Sequence, residues 1–334
     1  MYAIPFHTAD LGKLSFLITG GSGFIGSNLV EYLVTHGAGK IRVLDNLATS
    51  QLDSIAKFLE GKNVEFLKGD IRNPDDCRNA CEGIDYVLHQ AAMGSVPRSI
   101  KDPITTHAVN STGFVNVLLA ARDAGVKRIV YASSSSVYGD STALPKREAE
   151  TGNPLSPYAV SKKTNELYAR VFASAYKMEL IGLRYFNVFG PNQSPDGPYA
   201  AVLPLFMNAL LNGQSPAIDG DGEQTRDFTF VENAVQANIK ALFTPNREAL
   251  SEVFNVAVGE RISINGLYDI LCGLTGSKQR PVYRESRPGD IRDSLADISK
   301  AQQLLGYVPG VKINEGLERT LLWFRNSAYA VKTN

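Results

Sequence analysis

The chain has 334 residues, 44% of them hydrophobic and 20% charged, and its 34 basic side chains balance its 34 acidic ones. That length supports one large or two modest domains around a sizeable core. The zero net charge excludes a global field that would draw the chain to nucleic acid or a membrane surface, so any anion site must be local.

The first thirteen residues, MYAIPFHTADLGK, lack the basic start and apolar core of a secretory signal and fit no other pattern. LSFLIT (14–19) then reads as a buried strand. It runs into GGSGFIGSNL, in which Gly20, Gly23 and Gly26 recur at every third position before a helical stretch over 25–36. Such a strand–turn–helix junction cradles a dinucleotide. Glycine allows the tight turn, removes the side chain where a pyrophosphate approaches, and lets helix pack on strand, while the helix start offers N–H groups to the anion. The glycines alone would equally suit a structural turn.

The following strand ends supply the context. IRVLD (41–45) ends in Asp45, whose carboxylate suits an adenosine ribose and repels a 2′-phosphate, favouring NAD over NADP. VEFLKGD (64–70) places Asp70 for the adenine edge, and DYVLHQ (85–90) leads to Gln90, Ala91 and Ala92, small enough to pass beneath a cofactor. Phe24, Ile25, Asn46 and Ile71 flank these positions and complete that set. Asn73-Pro74-Asp75-Asp76 is a helix start with its cap, proline and first-turn acids. Cys77 and Cys81 follow on one helix face. With Cys272 they make three cysteines and no disulfide framework, which fits packing thiols in a reducing cytoplasm, not a metal site.

A helical stretch over 114–124 precedes RIVYAS (128–133), and LIGLRY (180–185) reads as a further strand. Alternating strands and helices predict an α/β fold, a doubly wound, Rossmann-like parallel sheet. Between those two strands, SPYAVSKK opens a helix at Ser156. Tyr158 and Lys162 stand four apart, on one face. A free tyrosine titrates near 10, so a base at neutral pH needs its pKa lowered by roughly 3 units, for which a neighbouring ammonium and a positive nicotinamide ring are the expected means. After Gly190 the texture turns to Gly, Pro and Asp, with VFNVAV (253–258) as a strand returning to the sheet. The expected division is a NAD-binding domain over 1–190 and a smaller substrate lobe over 191–334, with some segments returning to the first.

TGGSGFIG, the Asp45 strand end, the run Ser133–Ser136 and Tyr158-x-x-x-Lys162 together resemble the extended short-chain dehydrogenase/reductase family. The likeness covers about residues 14–325, and HQAAMGSVPRS, LRYFNVFGP and RPGDIRDSLADISKA are similar to its bacterial UDP-N-acetylglucosamine 4-epimerase branch. The resemblance implies a two-lobed cytoplasmic enzyme with NAD as cofactor, a UDP-sugar as substrate and a homodimer formed through helices around 105–125 and 158–176. It makes Tyr158 the acid/base, Lys162 its partner and ribose anchor, and Ser134 the hydroxyl beside the sugar O4. Asn110 braces the active-site helix; Ser133, Tyr185 and Val188 lie by the cofactor. Asn187, Arg226 and Arg287 match contacts to the diphosphate, and Asp290 one to the uridine ribose. Gly94, Ser95, Ser135, Ser136, Ala201 and Val202 are expected to line the sugar pocket, and Ser294 to gate it beside C2, leaving room for an N-acetyl group. Arg98 suits a uronic acid as the alternative.

Sugar-nucleotide dehydratases, which resemble the chain as well, carry Asp and Glu where Ser135 and Ser136 stand. Elimination must strip a proton from C5 and deliver one to O6, which a hydroxyl cannot do. The expected chemistry is therefore reversible oxidation at C4 and inversion there, through a 4-keto sugar. A UDP-uronate decarboxylase, a 4-ketoreductase and an NAD-binding sensor without turnover are the alternatives.

Overall fold

The computed structural model describes residues 1–196, 200–285 and 292–327. Seven strands form one parallel sheet: β1 Ser15–Thr19, β2 Lys40–Asp45, β3 Val64–Lys68, β4 Tyr86–His89, β5 Arg128–Ser134, β6 Leu180–Tyr185 and, late in the chain, β11 Val253–Val256. Their order is β11-β6-β5-β4-β1-β2-β3, and every pairing is parallel. Strands buried on both faces need continuous apolar runs, as their sequences have.

Between β1 and β6 lie α1 Phe24–Thr35, α2 Asp53–Leu59, α3 Pro74–Cys81, α4 Val96–Lys101, α5 Pro103–His107, α6 Gly113–Asp123 and α7 Pro157–Tyr176. On one face of the sheet α1 packs with α9 Val231–Phe243 and α11 Ser299–Leu305, through Leu29, Leu33, Ala237, Phe254 and Leu305. The other face is covered by α3, α6 and α7, through Cys77, Phe114, Val117 and Phe172. Cys77 and Cys81 are buried there, and burial pushes both thiols up to about 12, where they stay protonated and inert.

A third apolar cluster gathers Phe189, Phe206, Phe230, Leu267 and Phe324. It is framed by α8 Val202–Leu211, α10 Ile264–Thr275 and α12 Ile313–Arg325, with short strand pairs: β7 Val188–Phe189 on β10 Thr229–Phe230, β9 Thr225–Arg226 on β12 Ile262–Ser263, and β8 Ala217–Asp219 on β13 Val282–Arg284. After this excursion the chain re-enters the main sheet at β11, beside β6. A cleft is left over the carboxyl ends of the sheet, where strand order reverses between β1 and β4.

Candidate active site

The turn after β1 is too tight for side chains. Gly20 has φ +68°, and a Cβ there would lie 2.7 Å from the Ala91 Cα, so the ends of β1 and β4 touch backbone to backbone at the reversal point. A Cβ on Gly26 would lie 2.2 Å from the Gly20 carbonyl oxygen, which seats α1 on the turn. Gly23 is different. It caps α1 without a side chain, and a Cβ there would meet only the Gly20 oxygen, at 3.2 Å. Its open side faces a cavity that Gly20, Asp45, Asp70, Ile71, Gln90 and Ala92 also line. Phe24 and Ile25 sit in the first helical turn, whose amides have no partners within the helix.

Asp45 is preset by the backbone. Its carboxylate accepts from Ser22 N at 3.0 Å, from Leu47 N at 2.9 Å and from the Ser50 hydroxyl at 3.2 Å. Asn46 donates from Nδ2 to Asp70 Oδ2 at 2.8 Å. Asp70 also takes a forked ion pair from Arg72, at 2.6 Å from one guanidinium nitrogen, and that interaction holds its pKa at about 2. Arg72 itself lines the cavity; sequence reasoning missed it. Gln90 and Tyr185 belong to a closed ring: the Tyr185 hydroxyl donates to Gln90 Oε1 (3.1 Å), Gln90 Nε2 donates to Asn238 Oδ1 (3.1 Å), and Asn238 Nδ2 donates to the Tyr185 hydroxyl (2.7 Å). Asn238 comes from the middle of α9, and its spacing from the other two gave no signal in the sequence. A deep glycine cradle, a preset carboxylate and helix-start amides fit NAD.

The second group gathers at the end of β5. Proline at the first position of α7 and the Ser156 hydroxyl, which accepts from Ala159 N at 3.1 Å, start that helix. Tyr158, Lys162 and Glu166 then follow on one face. Lys162 is buried and donates from Nζ to the Ala132 carbonyl at 2.7 Å, with Nζ 5.9 Å from the centre of the Tyr158 ring. Burial lowers Lys162 to about 8, against the pull of the Glu166 carboxylate. At Tyr158 the protein's own groups act differently from the part of the expectation that fell to Lys162, and the nicotinamide's part belongs to the NAD-bound state. Burial pushes the phenol up, and the group acting downward is the Ser134 side chain, not the Lys162 ammonium, which is turned to the strand carbonyl.

The serine run divides. Ser133 is buried, and its hydroxyl donates to Glu166 Oε1 at 2.6 Å. Both Glu166 oxygens also hold Arg184 of β6, each at 2.8 Å. The Ser133 hydroxyl thus serves a buried ion pair that ties α7 to β5 and β6. Ser134 is half-buried and its hydroxyl accepts from Ser136 N at 3.1 Å; Ser135 lies beside it in the same short helical turn, and the Ser136 hydroxyl is buried without a partner. Asn110 sits in a single π-turn, Ala108–Thr112, that joins α5 to α6. Its oxygen accepts from Met93 N at 2.7 Å, and its Nδ2 donates to the Met93 carbonyl (3.2 Å) and the Ser161 hydroxyl (3.0 Å), bracing α7 to the loop after β4. In that loop Gly94 is exposed to open space, and Ser95 has φ +95°, a strained value for serine, where it caps α4. Arg98 follows in α4, 3.9 Å from the Met93 sulfur.

Across the cleft, Asn187, Val202 and Arg226 line one cavity with Ala200 and Asp219. Ala201 is exposed and caps α8, next to that lining. Val188 opens β7 immediately after Asn187, which has φ +36° and donates to the Asp227 carbonyl at 3.0 Å. Arg226 donates to the Thr225 and Arg292 carbonyls at 2.9 and 3.0 Å. Ser294 is buried, and its N–H donates to the Thr225 carbonyl at 3.1 Å, one residue from Arg226. Arg287 and Asp290 lie outside the described residues. Asp227 went unread in the sequence. Its buried carboxylate accepts from Val258 N, Gly259 N and Ala296 N at 3.1 to 3.2 Å, and burial raises it to about 7.

The model of the NAD dependent epimerase/dehydratase family matches residues 16–257. A putative UDP-glucose 4-epimerase of Methanocaldococcus jannaschii is 37% identical over 313 residues, 93% of this chain and 98% of that protein. A UDP-glucuronate 4-epimerase of Thermodesulfobacterium geofontis is 32% identical, over 95% of this chain and 98% of its own. Among solved structures, a UDP-N-acetylglucosamine 4-epimerase from Methanobrevibacter ruminantium, in complex with UDP-N-acetylmuramic acid, superposes with a TM-score of 0.88 at 37% identity, covering 94% of this chain and 98% of that one. Taken with the glycine cradle at the sheet reversal and the tyrosine–lysine pair beside it, these matches show that the chain belongs to the NAD dependent epimerase/dehydratase family.

Proposed function

We propose that the protein is an NAD-dependent UDP-sugar 4-epimerase whose principal reaction interconverts UDP-GlcNAc and UDP-GalNAc. The observation that carries this reading is the end of β5, where Tyr158, Lys162 and Ser134 come together and only hydroxyls, at Ser135 and Ser136, occupy the places an eliminating enzyme needs for acids and bases. The chemistry NAD supplies when bound is reversible acceptance of a hydride from C4. Tyr158 accepts the proton of the 4-hydroxyl as its phenolate and returns it. Ser134 bonds to O4 in either configuration, because a hydroxyl both donates and accepts. Lys162 holds α7 on the strand through the Ala132 carbonyl and keeps a positive charge beside the phenol. Arg226, with Arg287, is assigned to the diphosphate, whose anchoring leaves the flat ketose free to present its other face. Asn187 and Asp290 are assigned to the nucleotide side, and Gly94, Ser95, Ala201, Val202 and Ser294 to the sugar. The redox change is zero over a cycle, so no free NADH is consumed.

Two finer points belong to the same proposal. A small residue at Ser294 supports an N-acetyl group at C2. A UDP-uronic acid is the second reading, favoured by Arg98 beside Met93 of the cofactor cavity and by the UDP-glucuronate 4-epimerase relative. The protein is also proposed to pair with a second copy through the helices around 105–125 and 158–176; Val160, Leu167 and Val171 of α7 are exposed and apolar, as are Ile100 and Ile104 just ahead of the first of these helices, and sedimentation as a monomer at micromolar concentration would rule that out.

The test of the function is incubation of the purified protein, without added cofactor, with UDP-GlcNAc, UDP-Glc and their uronic acids, followed by identification of products. Interconversion at C4 is expected. Release of CO2 would mark a decarboxylase, stoichiometric use of NADH a ketoreductase, and full NAD occupancy with no product a sensor.

A further inference from the structure

We propose that the N-terminal arm, residues 1–13, is a positioning element for the cofactor turn: Tyr2, through Asn28, fastens the first turn of α1 to Pro191, at the point where the chain leaves the main sheet for the third apolar cluster. The family match begins at residue 16, so this arm lies before the shared part of the chain.

The arm has almost no regular structure, yet it is firmly seated along α1. Tyr2 and Leu11 are each 2% exposed. Phe6 stacks on Tyr32 with ring centres 5.4 Å apart, and its N–H donates to the Tyr32 hydroxyl at 2.7 Å. These contacts deliver the Tyr2 hydroxyl to Asn28, where it donates to Oδ1 at 2.8 Å. The Asn28 amide is fully buried, and its Nδ2 donates to the Phe24 carbonyl at 2.9 Å and the Pro191 carbonyl at 3.0 Å.

That orientation is specific. With the amide reversed, its oxygen would face the Phe24 and Pro191 carbonyl oxygens, and each would lose its bond from Asn28. The two carbonyls fix the orientation of the amide, and the Tyr2 hydroxyl, by donating to Oδ1 from the opposite side, holds the amide in the place that bridges Phe24 to Pro191. A parallel link runs one residue away: Asn192 Nδ2 donates to the Ser27 hydroxyl at 3.2 Å, and that hydroxyl donates to the same Phe24 carbonyl at 3.1 Å. Phe24 is the first residue of α1, beside the open face of Gly23. The arm thus acts on the helix start that receives a diphosphate, and through Pro191 on the strand that precedes it, β7.

This inference rests on NAD binding at the glycine turn and on nothing about the sugar. The test uses the full chain and Tyr2→Phe, which removes one hydroxyl and keeps the ring. The readouts are the rate at which bound NAD is lost after gel filtration, and the split between KM and kcat. NAD release about fivefold faster is expected, the effect of losing one buried hydrogen bond. KM for the sugar nucleotide should rise while kcat at saturating NAD holds. Unchanged release overturns the proposal. Phe6→Leu loosens the stacking that delivers the Tyr2 hydroxyl and should speed NAD release in the same direction but by less; a larger effect than that of Tyr2→Phe would mean that general seating matters and not the Tyr2–Asn28 link, which also overturns the proposal. Should Tyr2→Phe fail to fold, Asn192→Ala cuts the parallel link with the arm intact, and it too must speed NAD release. A wild-type protein that never holds NAD would instead remove the cofactor reading, and this inference with it.

Discussion

The two walls of the cleft are made by different means. On the sheet side, several functional side chains are tied into networks of side chains and backbone amides from other elements. Asp45 is fixed by the glycine turn, Gln90 and Tyr185 by Asn238, Asn110 by Met93 and Ser161, and α7 by the Ser133–Glu166–Arg184 group. On the facing side, Asn187, Arg226 and Ser294 sit on strands of two residues or on connecting loops, and they bond to single backbone carbonyls, those of Asp227, Thr225 and Arg292. Chemistry that must place a hydride and a proton within fractions of an ångström calls for the first kind of wall. Substrate choice needs only shape and charge, and tolerates the second.

That contrast can be broken at the sheet wall, where the largest effects are expected. Tyr158→Phe should lower kcat by about 10³-fold or more while NAD content stays that of wild type, since only the proton acceptor is lost. Retained turnover would move the base elsewhere. Gly23→Val should empty the site of NAD, because its side chain would enter the one open face of the turn; absorbance of the purified protein after heat release measures this. A valine variant with full NAD content would sink the cradle reading.

Glu166 tests the bracing itself. Glu166→Ala leaves the buried Arg184 guanidinium unpaired and should cost about 3–5 kcal/mol, read by denaturant unfolding. Glu166→Gln keeps the shape and removes the charge. In the native protein burial lowers Lys162 to about 8 and the Glu166 carboxylate opposes that shift. Without the carboxylate the ammonium gives up its proton at lower pH, so the alkaline fall of kcat should move to lower pH. A fall that stays in place would show that Lys162 charge does not limit turnover.

The smallest effect is expected from the facing wall. Ser294→Tyr should reduce turnover of UDP-GlcNAc about tenfold more than that of UDP-glucose, with the fold and NAD content unchanged. Equal losses on the two sugars would end the gate idea.

Legibility in the sequence followed the same divide. All seven strands of the main sheet stood out, within a residue or two, because a parallel sheet covered on both faces demands unbroken apolar runs. The glycine turn and the spacing of Tyr158 and Lys162 are local patterns and could be read directly. The short pairs β7–β10, β9–β12 and β8–β13 are too brief to show a period. The bracing residues were invisible for another reason: Gln90 meets Asn238 across 148 positions, and Asp227 gathers amides from Val258, Gly259 and Ala296. Ser133 shows the limit most clearly. The resemblance puts it by the cofactor, and nothing in a run of four identical neighbours tells that its hydroxyl also bonds a carboxylate 33 residues on. Tyr158 was expected to be lowered by Lys162 together with a positive nicotinamide ring; the opposing push of burial on the phenol is a property of the finished fold and had no signal in the sequence.

The π-turn at Ala108–Thr112 has a consequence of its own. A π-turn amounts to one surplus residue in a helix. Excising a single residue from it would restore ordinary winding and swing Asn110 about 100° around the axis, away from both Met93 and Ser161. The loop after β4 and the helix bearing Tyr158 would then be uncoupled by a shortening of the chain, with no side chain exchanged.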